Sequence, residues 1–168
     1  MSSGIFCTIK LDPFYQRFIR KQFDDFNPVF NFPKGHDLSI RFQFYLSTKS
    51  ASKPEKYGAE EFRIEVPYME HKSPLYYNCM SPNFQQKFQS RIREFWRDVS
   101  HELLGKWNRS GFNREECIQK LMEEFDFTPD DEERVRREWK RYRETERLRR
   151  FRNKNKRTGN CRKSCSRQ

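Results

Sequence analysis

The last part of the chain has no acid in it. Asp and Glu number 24 among the 168 residues, and none follows Glu146. No apolar run approaches the ~18 residues that a membrane-crossing helix needs, and no secretory leader pattern is present. The expectation is a soluble, cytoplasmic protein without membrane insertion. Histidine is scarce: His36, His71 and His101 stand alone. His101 and Glu102 are adjacent, but neighbours on a helix point about 100° apart and cannot work as an acid–base pair. That leaves His101 as a surface histidine. No phosphate-cradling glycine loop, GxSxG elbow, HExxH or CxxC occurs, which removes the nucleotide-binding, serine-hydrolase and metalloprotease readings. The five cysteines (Cys7, Cys79, Cys117, Cys161, Cys165) are odd in number and scattered. Cys161 and Cys165 have neither a second pair nor a nearby histidine, so a zinc site is not expected, and reduced thiols are. Neither an enzyme nor a cofactor is implied.

Cations and aromatic rings are abundant instead. Lys and Arg number 35, and ten of them lie between Arg147 and Gln168, so the preceding residues carry 25 basic against 24 acidic groups. The body is nearly neutral and the end is a polycation. Such an end attracts phosphate polymers by releasing their condensed counterions; an anionic membrane surface or an acidic protein would attract it too. Seventeen Phe, seven Tyr and three Trp supply large apolar areas for a core. The length suits one domain of ordinary size, or a small domain with appendages.

The periodicity predicts an α+β fold. Ile5, Cys7, Ile9 and Leu11 alternate with Phe6, Thr8 and Lys10, the period of a strand with one face turned inward. Asp12-Pro13 then starts a helix with Phe14, Phe18 and Ile19 on one side, ending near Asp25 ahead of Asn27-Pro28. Leu38 to Leu46 reads two ways. Leu38, Ile40, Phe42, Phe44 and Leu46 alternate as in a strand, which the pattern favours, while Asp37 is placed to cap a helix whose Leu38, Phe42, Tyr45 and Leu46 share a face. Ser47 to Gly58 is a polar loop, Phe62, Ile64 and Val66 mark a second strand, and Tyr68 to Met80 is an irregular connection. Ser81-Pro82 opens what reads as the longest helix, reaching Asn108, with a stripe of Phe84, Phe88, Ile92, Phe95, Val99, Leu103 and Trp107.

Asn113 with Glu116 forms a capping box for a helix over Arg114 to Phe125. Asp126 to Thr128 make a turn, and Thr128-Pro129 starts a second, increasingly basic helix. Ile118, Leu121, Met122 and Phe125 face inward from the first, and Val135, Trp139 and Tyr142 from the second. A helix, a tight turn and a basic helix make a helix-turn-helix-like pair, which points to nucleic acid, and to DNA ahead of RNA. The candidate contacts are Arg134, Arg137 and Arg141 on one face, Lys140 and Arg143 bordering it with Arg136, and Arg147, Arg149, Arg150, Arg152, Lys154, Lys156 and Arg157 beyond. Arginine's planar fork suits guanine edges and phosphates alike. The first turn opposes groove entry, because Asp130, Asp131, Glu132 and Glu133 would be repelled by phosphates, though acids there also suit the helix dipole. The competing readings are non-specific attachment to nucleic acid, RNA included, and a protein-interaction module with pairs such as Glu133–Arg137 and Arg134–Glu138. A homodimer would suit operator recognition, but no heptad seam demands one.

The segments Thr8-Ile9-Lys10-Leu11-x-Pro13-Phe14-x-Gln16-Arg17-Phe18, Phe32-Pro33-Lys34-Gly35 and Gly111-Phe112, with the helix pair and basic end that follow, resemble uncharacterised proteins of transposable bacterial phages and mobile elements. The resemblance covers most of residues 5–157 and brings no catalytic signature or functional residue. It implies a phage- or element-encoded transcription regulator with a C-terminal helix-turn-helix-like module. The expected layout is an α+β part over residues 1–80, with a small sheet covered by helices. A helical part over 81–152 follows, containing one long central helix and then the pair (113–152), and a disordered basic tail spans 153–168.

Overall fold

Alternating apolar residues make Phe6–Lys10 a strand, β1, that buries Cys7 and Ile9 against the core. In the computed structural model, which describes the backbone of residues 4–48 and 58–164 and side chains as far as 153, β1 pairs antiparallel with β4 (Glu61–Glu65). The register sets Ile9 opposite Phe62 and Cys7 opposite Ile64, so apolar side chains meet on one face of the sheet. A short strand, β2 (Val29–Phe30), adds to β4 in parallel and completes a three-stranded sheet of order β1-β4-β2. A second, two-stranded sheet joins β3 (Ser47–Thr48) to β5 (Tyr77–Cys79). β5 lies within the stretch expected to be irregular; its residues are all half-buried, so no alternation marks it in the sequence. Residues 49–57, most of the expected loop, lie outside the described residues, as do the side chains of Cys161 and Cys165.

The chain forms two compact units, Met1–Val99 with Glu123–Phe127, and Ser100–Met122 with Thr128–Gln168. In the first, α1 (Pro13–Gln22) starts as its sequence dictates: the Asp12 carboxylate accepts from the Phe14 N–H at 3.0 Å, with Pro13 in the first turn. Its buried Phe14 and Phe18 enter a cluster of rings. Phe18 lies 5.1 Å from Trp96, 5.2 Å from Phe125 and 5.5 Å from Phe95, centroid to centroid, while Phe14 stacks on Phe127 at 4.3 Å. Burial also pushes the Cys7 thiol up to about 12, with the nearby Cys79 adding to the shift, so Cys7 packs as a neutral apolar side chain.

Residues 37–45 form a helix, α2 (Asp37–Tyr45), and the strand favoured by alternation is corrected. Leu38 and Phe42 satisfy both patterns; burial of Tyr45, with Ile40 55% and Phe44 69% exposed, selects the helical one. The cap is His36, one residue earlier than Asp37, its Nδ1 accepting from the Leu38 N–H at 3.2 Å. The far end is closed by the Lys72 ammonium, which donates to the carbonyls of Gln43 and Leu46 at 3.2 and 3.3 Å.

The long helix α3 (Pro82–Arg109) contributes to both units. Its buried stripe is Phe88, Ile92, Trp96, Ser100 and Leu104, whereas Phe95, Val99, Leu103 and Trp107 are only half-buried. Ser100, a small polar residue inside that row, breaks the apolar pattern by which a sequence reveals a buried face. In the second unit Gly111, at φ +90°, leads out of α3 in a conformation that side chains rarely adopt. The Asn113 box is present in both directions, Asn113 N–H to Glu116 at 2.7 Å and Glu116 N–H to Asn113 at 3.1 Å, and opens α4 (Arg114–Glu124). Cys117, Ile118 and Leu121 are buried from α4, and Val135, Trp139 and Tyr142 from α5 (Glu132–Ser164). At 33 residues α5 exceeds the 28 of α3, so α3 is not the longest helix as expected. Its backbone runs beyond residue 153, where the tail was expected to begin.

Candidate nucleic-acid interface

The side chains that start α5 are committed locally. Thr128 precedes a 3₁₀ turn, Pro129–Asp131. The buried Asp131 carboxylate accepts from the Thr128 N–H at 3.0 Å and from its hydroxyl at 2.9 Å. Of the four acids that counted against a DNA-reading helix, one is therefore a cap. Two more hold arginines: Glu132 pairs with Arg136, and Glu133 with Arg137.

Arg136 shows what such pairing does. Its Nη1 and Nη2 meet the two Glu115 oxygens at 3.1 and 2.8 Å, and its Nε donates to Glu132 at 2.8 Å. The bidentate fork ties α4 to α5 and holds the guanidinium pKa above its ordinary value, Glu115 first and Glu132 second. Arg137 donates from Nε to the Glu133 carbonyl at 3.3 Å. Arg141 donates to Glu138 at 3.0 Å, and Arg134 is exposed and likewise engaged. Each residue of the face singled out in the sequence, Arg134, Arg137 and Arg141, thus has a partner within the chain, while the side chains of Arg137 and Arg141 stay 57% and 59% exposed.

The bordering positions behave differently. Lys140, Arg143, Arg147 and Arg150 are all exposed and have no acidic partner among the described residues. Their 3-4-3 spacing sets them within about a quarter of a turn of one another, over about 15 Å of helix. Arg149 is paired with Glu146 at 3.5 Å while its side chain stays 72% exposed, and Arg152 is exposed on another side. Among the described residues of this stretch two acids flank the row: Glu144, four positions after Lys140, and the half-buried Glu146, four positions before Arg150. The backbones of Lys154, Lys156 and Arg157 belong to α5, and their side chains lie outside the described residues.

The pairing of His101 with Glu138 was not visible in the sequence. The His101 Nε2 lies 2.9 Å from the Glu138 carboxylate; the Glu138 side chain is 3% exposed and that of His101 18%, so His101 is not a surface residue. The pair is 37 positions apart, and no local signal links them. Burial alone would raise the Glu138 carboxyl, but hydrogen bonds from His101 and Arg141 outweigh it and hold the group below the usual carboxylate range. A depressed folded-state pKa contributes stability above the unfolded value of roughly 4.3, and that contribution is lost as pH falls through the folded value. Glu138→Ala is therefore expected to cost about 1.5–3 kcal/mol at neutral pH, the range for hydrogen bonds to a charged group. The difference from wild type should shrink below about pH 4, as read by urea unfolding across a pH series.

Among the described residues no group of His, Cys, Asp or Glu could hold a metal ion, and no helix is long and apolar enough to cross a membrane. The fold and the cationic row together describe an α+β protein with an exposed basic helix. No family model, curated protein or solved structure matches the chain.

Proposed function

We propose that the protein binds DNA along the exposed side of α5, with Lys140, Arg143, Arg147 and Arg150 lying against the phosphate backbone, continued by the basic residues that follow. The observation that carries this reading is the row itself: four cations on one side of a helix, without acidic partners among the described residues. The helix-turn-helix-like pair supports a regulatory use, of the kind implied by the resemblance to phage and mobile-element proteins. Entry into the groove by the first turn of α5 is disfavoured, since Asp130 and Glu133 remain exposed there.

Removal of residues 147–168 tests the reading. From Arg143 to Asn153 every side chain but the half-buried Glu146 is exposed, so the deletion takes no packed side chain from the described core. Affinity for DNA is expected to fall, and the slope of log affinity against log salt to flatten by roughly 0.9 for each phosphate that is no longer neutralised. Unchanged affinity and slope would refute it. A second reading has its own observation: the first unit exposes Ile40, Phe44, Tyr68, Leu75 and Tyr76, large apolar side chains of the kind found on protein-binding surfaces. An interaction module would capture a protein partner and show no salt-dependent attachment to DNA.

A further inference from the structure

Two large apolar side chains interrupt the cationic half of α5. Leu148 is 50% exposed and Phe151 63% exposed, where a helix that bound only phosphates would have no use for a ring. Phe151 stands four positions after Arg147, which sets it beside the end of the row. Leu148, three positions earlier, lies beside it. We infer that this site takes nucleic acid with unpaired bases, phosphates lying along Arg143, Arg147 and Arg150 while a base stacks on the Phe151 ring. The inference rests on the nucleic-acid reading above and narrows it.

The physical case is one of matching surfaces. Bases in a duplex are stacked on each other, and their faces are closed to a side chain approaching along the backbone; in a single strand they are open. Aromatic rings set among cations serve single strands for this reason, the cations tracking the backbone and the ring receiving a base of any identity. Other occupants fit less well. A helix lying in a lipid surface needs an apolar face along its length, but Leu148 and Phe151 are flanked by Glu144, Arg147 and Arg152. A second copy of α5 would bring one arginine-rich helix against another, and like charges in close approach repel.

The test is fluorescence anisotropy with the full chain and three probes: oligo(dT), oligo(U) and a mixed-sequence duplex of equal length. The wild type should bind the single strands more tightly than the duplex, and the tighter of the two distinguishes DNA from RNA as the source. Phe151→Ala should weaken single-strand binding roughly tenfold, the contribution of one stacked base, and duplex binding by less than about twofold. Phe151→Trp should restore the difference. The ring is largely exposed and alanine favours helix, so the circular dichroism of both variants should match wild type. Equal losses on single strand and duplex, or no loss on either, would overturn the inference. So would an equal Phe151→Ala loss on vesicles of phosphatidylserine and phosphatidylcholine. Replacing Lys140, Arg143, Arg147 and Arg150 together by Gln separates the two levels. If that variant binds every probe as wild type does, the underlying reading fails; if it loses binding while Phe151→Ala has no effect, only the inference does.

Discussion

Phe18→Ala is expected to destabilise the first unit by about 3–5 kcal/mol, the range for deleting a buried aromatic side chain. Phe18 is 0% exposed and has three ring neighbours within 5.5 Å, contributed by α3 and by the segment after α4. Truncation removes its buried apolar area and also leaves a cavity walled by Phe95, Trp96 and Phe125, rigid rings that cannot close over it. Since small domains are stable by roughly 5–15 kcal/mol, this loss is a large share of the total. Urea unfolding followed by tryptophan fluorescence and circular dichroism measures it. Phe18→Leu, which keeps much of the volume, should cost well under half as much. A loss below about 1 kcal/mol for the alanine variant, the scale of an ordinary surface change, would mean that the cluster is not packed as described.

The four-glutamine variant of Lys140, Arg143, Arg147 and Arg150 carries the largest expected effect on binding. If each neutralises one phosphate, the salt slope should fall by about 3.6 in magnitude, four phosphates at roughly 0.9 each. Over a fourfold rise in salt those four charges account for roughly a hundredfold fall in affinity, and the variant should lack that fall. Glutamine retains hydrogen-bonding capacity and good helix propensity, so the variant isolates charge from shape. Arg136→Gln is the matched control. It removes one positive charge from the same helix, but the guanidinium is already clasped by Glu115 and Glu132, and its loss should leave the salt slope nearly unchanged. A common response of control and row, each in proportion to charge, would indicate a diffuse electrostatic attraction rather than a built binding surface.

Local chemistry was legible wherever a signal lies within a few residues of its effect. Asp12-Pro13 and the Asn113–Glu116 box each close a hydrogen bond within three positions, so their helices start where the residues say. The strands at β1 and β4 announce themselves by alternation. Leu38 to Leu46 was not legible, because Leu38, Phe42 and Leu46 satisfy a period of two and a helical repeat alike. Only the neighbours decide that Ile40 and Phe44 face outward. The α3 row was hidden by Ser100, and β5 is too short and too evenly half-buried to show a period. In the candidate site, the arginines were all visible, but their availability was not. Arg136 and Glu115 are 21 positions apart, and His101 and Glu138 are 37.

By itself the sequence determined the helix starts at Asp12-Pro13 and Asn113, the two main strands and the concentration of cations at one end, because each depends on composition or on interactions a few residues long. Tertiary structure alone decided that residues 37–45 are helical and that Arg136 is held by Glu115 as well as by Glu132, whereas pairs such as Glu133–Arg137 lie four positions apart and were visible in the sequence. It also decided that Lys140, Arg143, Arg147 and Arg150 lie exposed along one side with no acidic partner among the described residues. The reason is range: a salt bridge between α4 and α5 depends on where two helices pack, and packing follows from the burial of side chains such as Ile118, Leu121, Val135 and Trp139 that carry no charge at all.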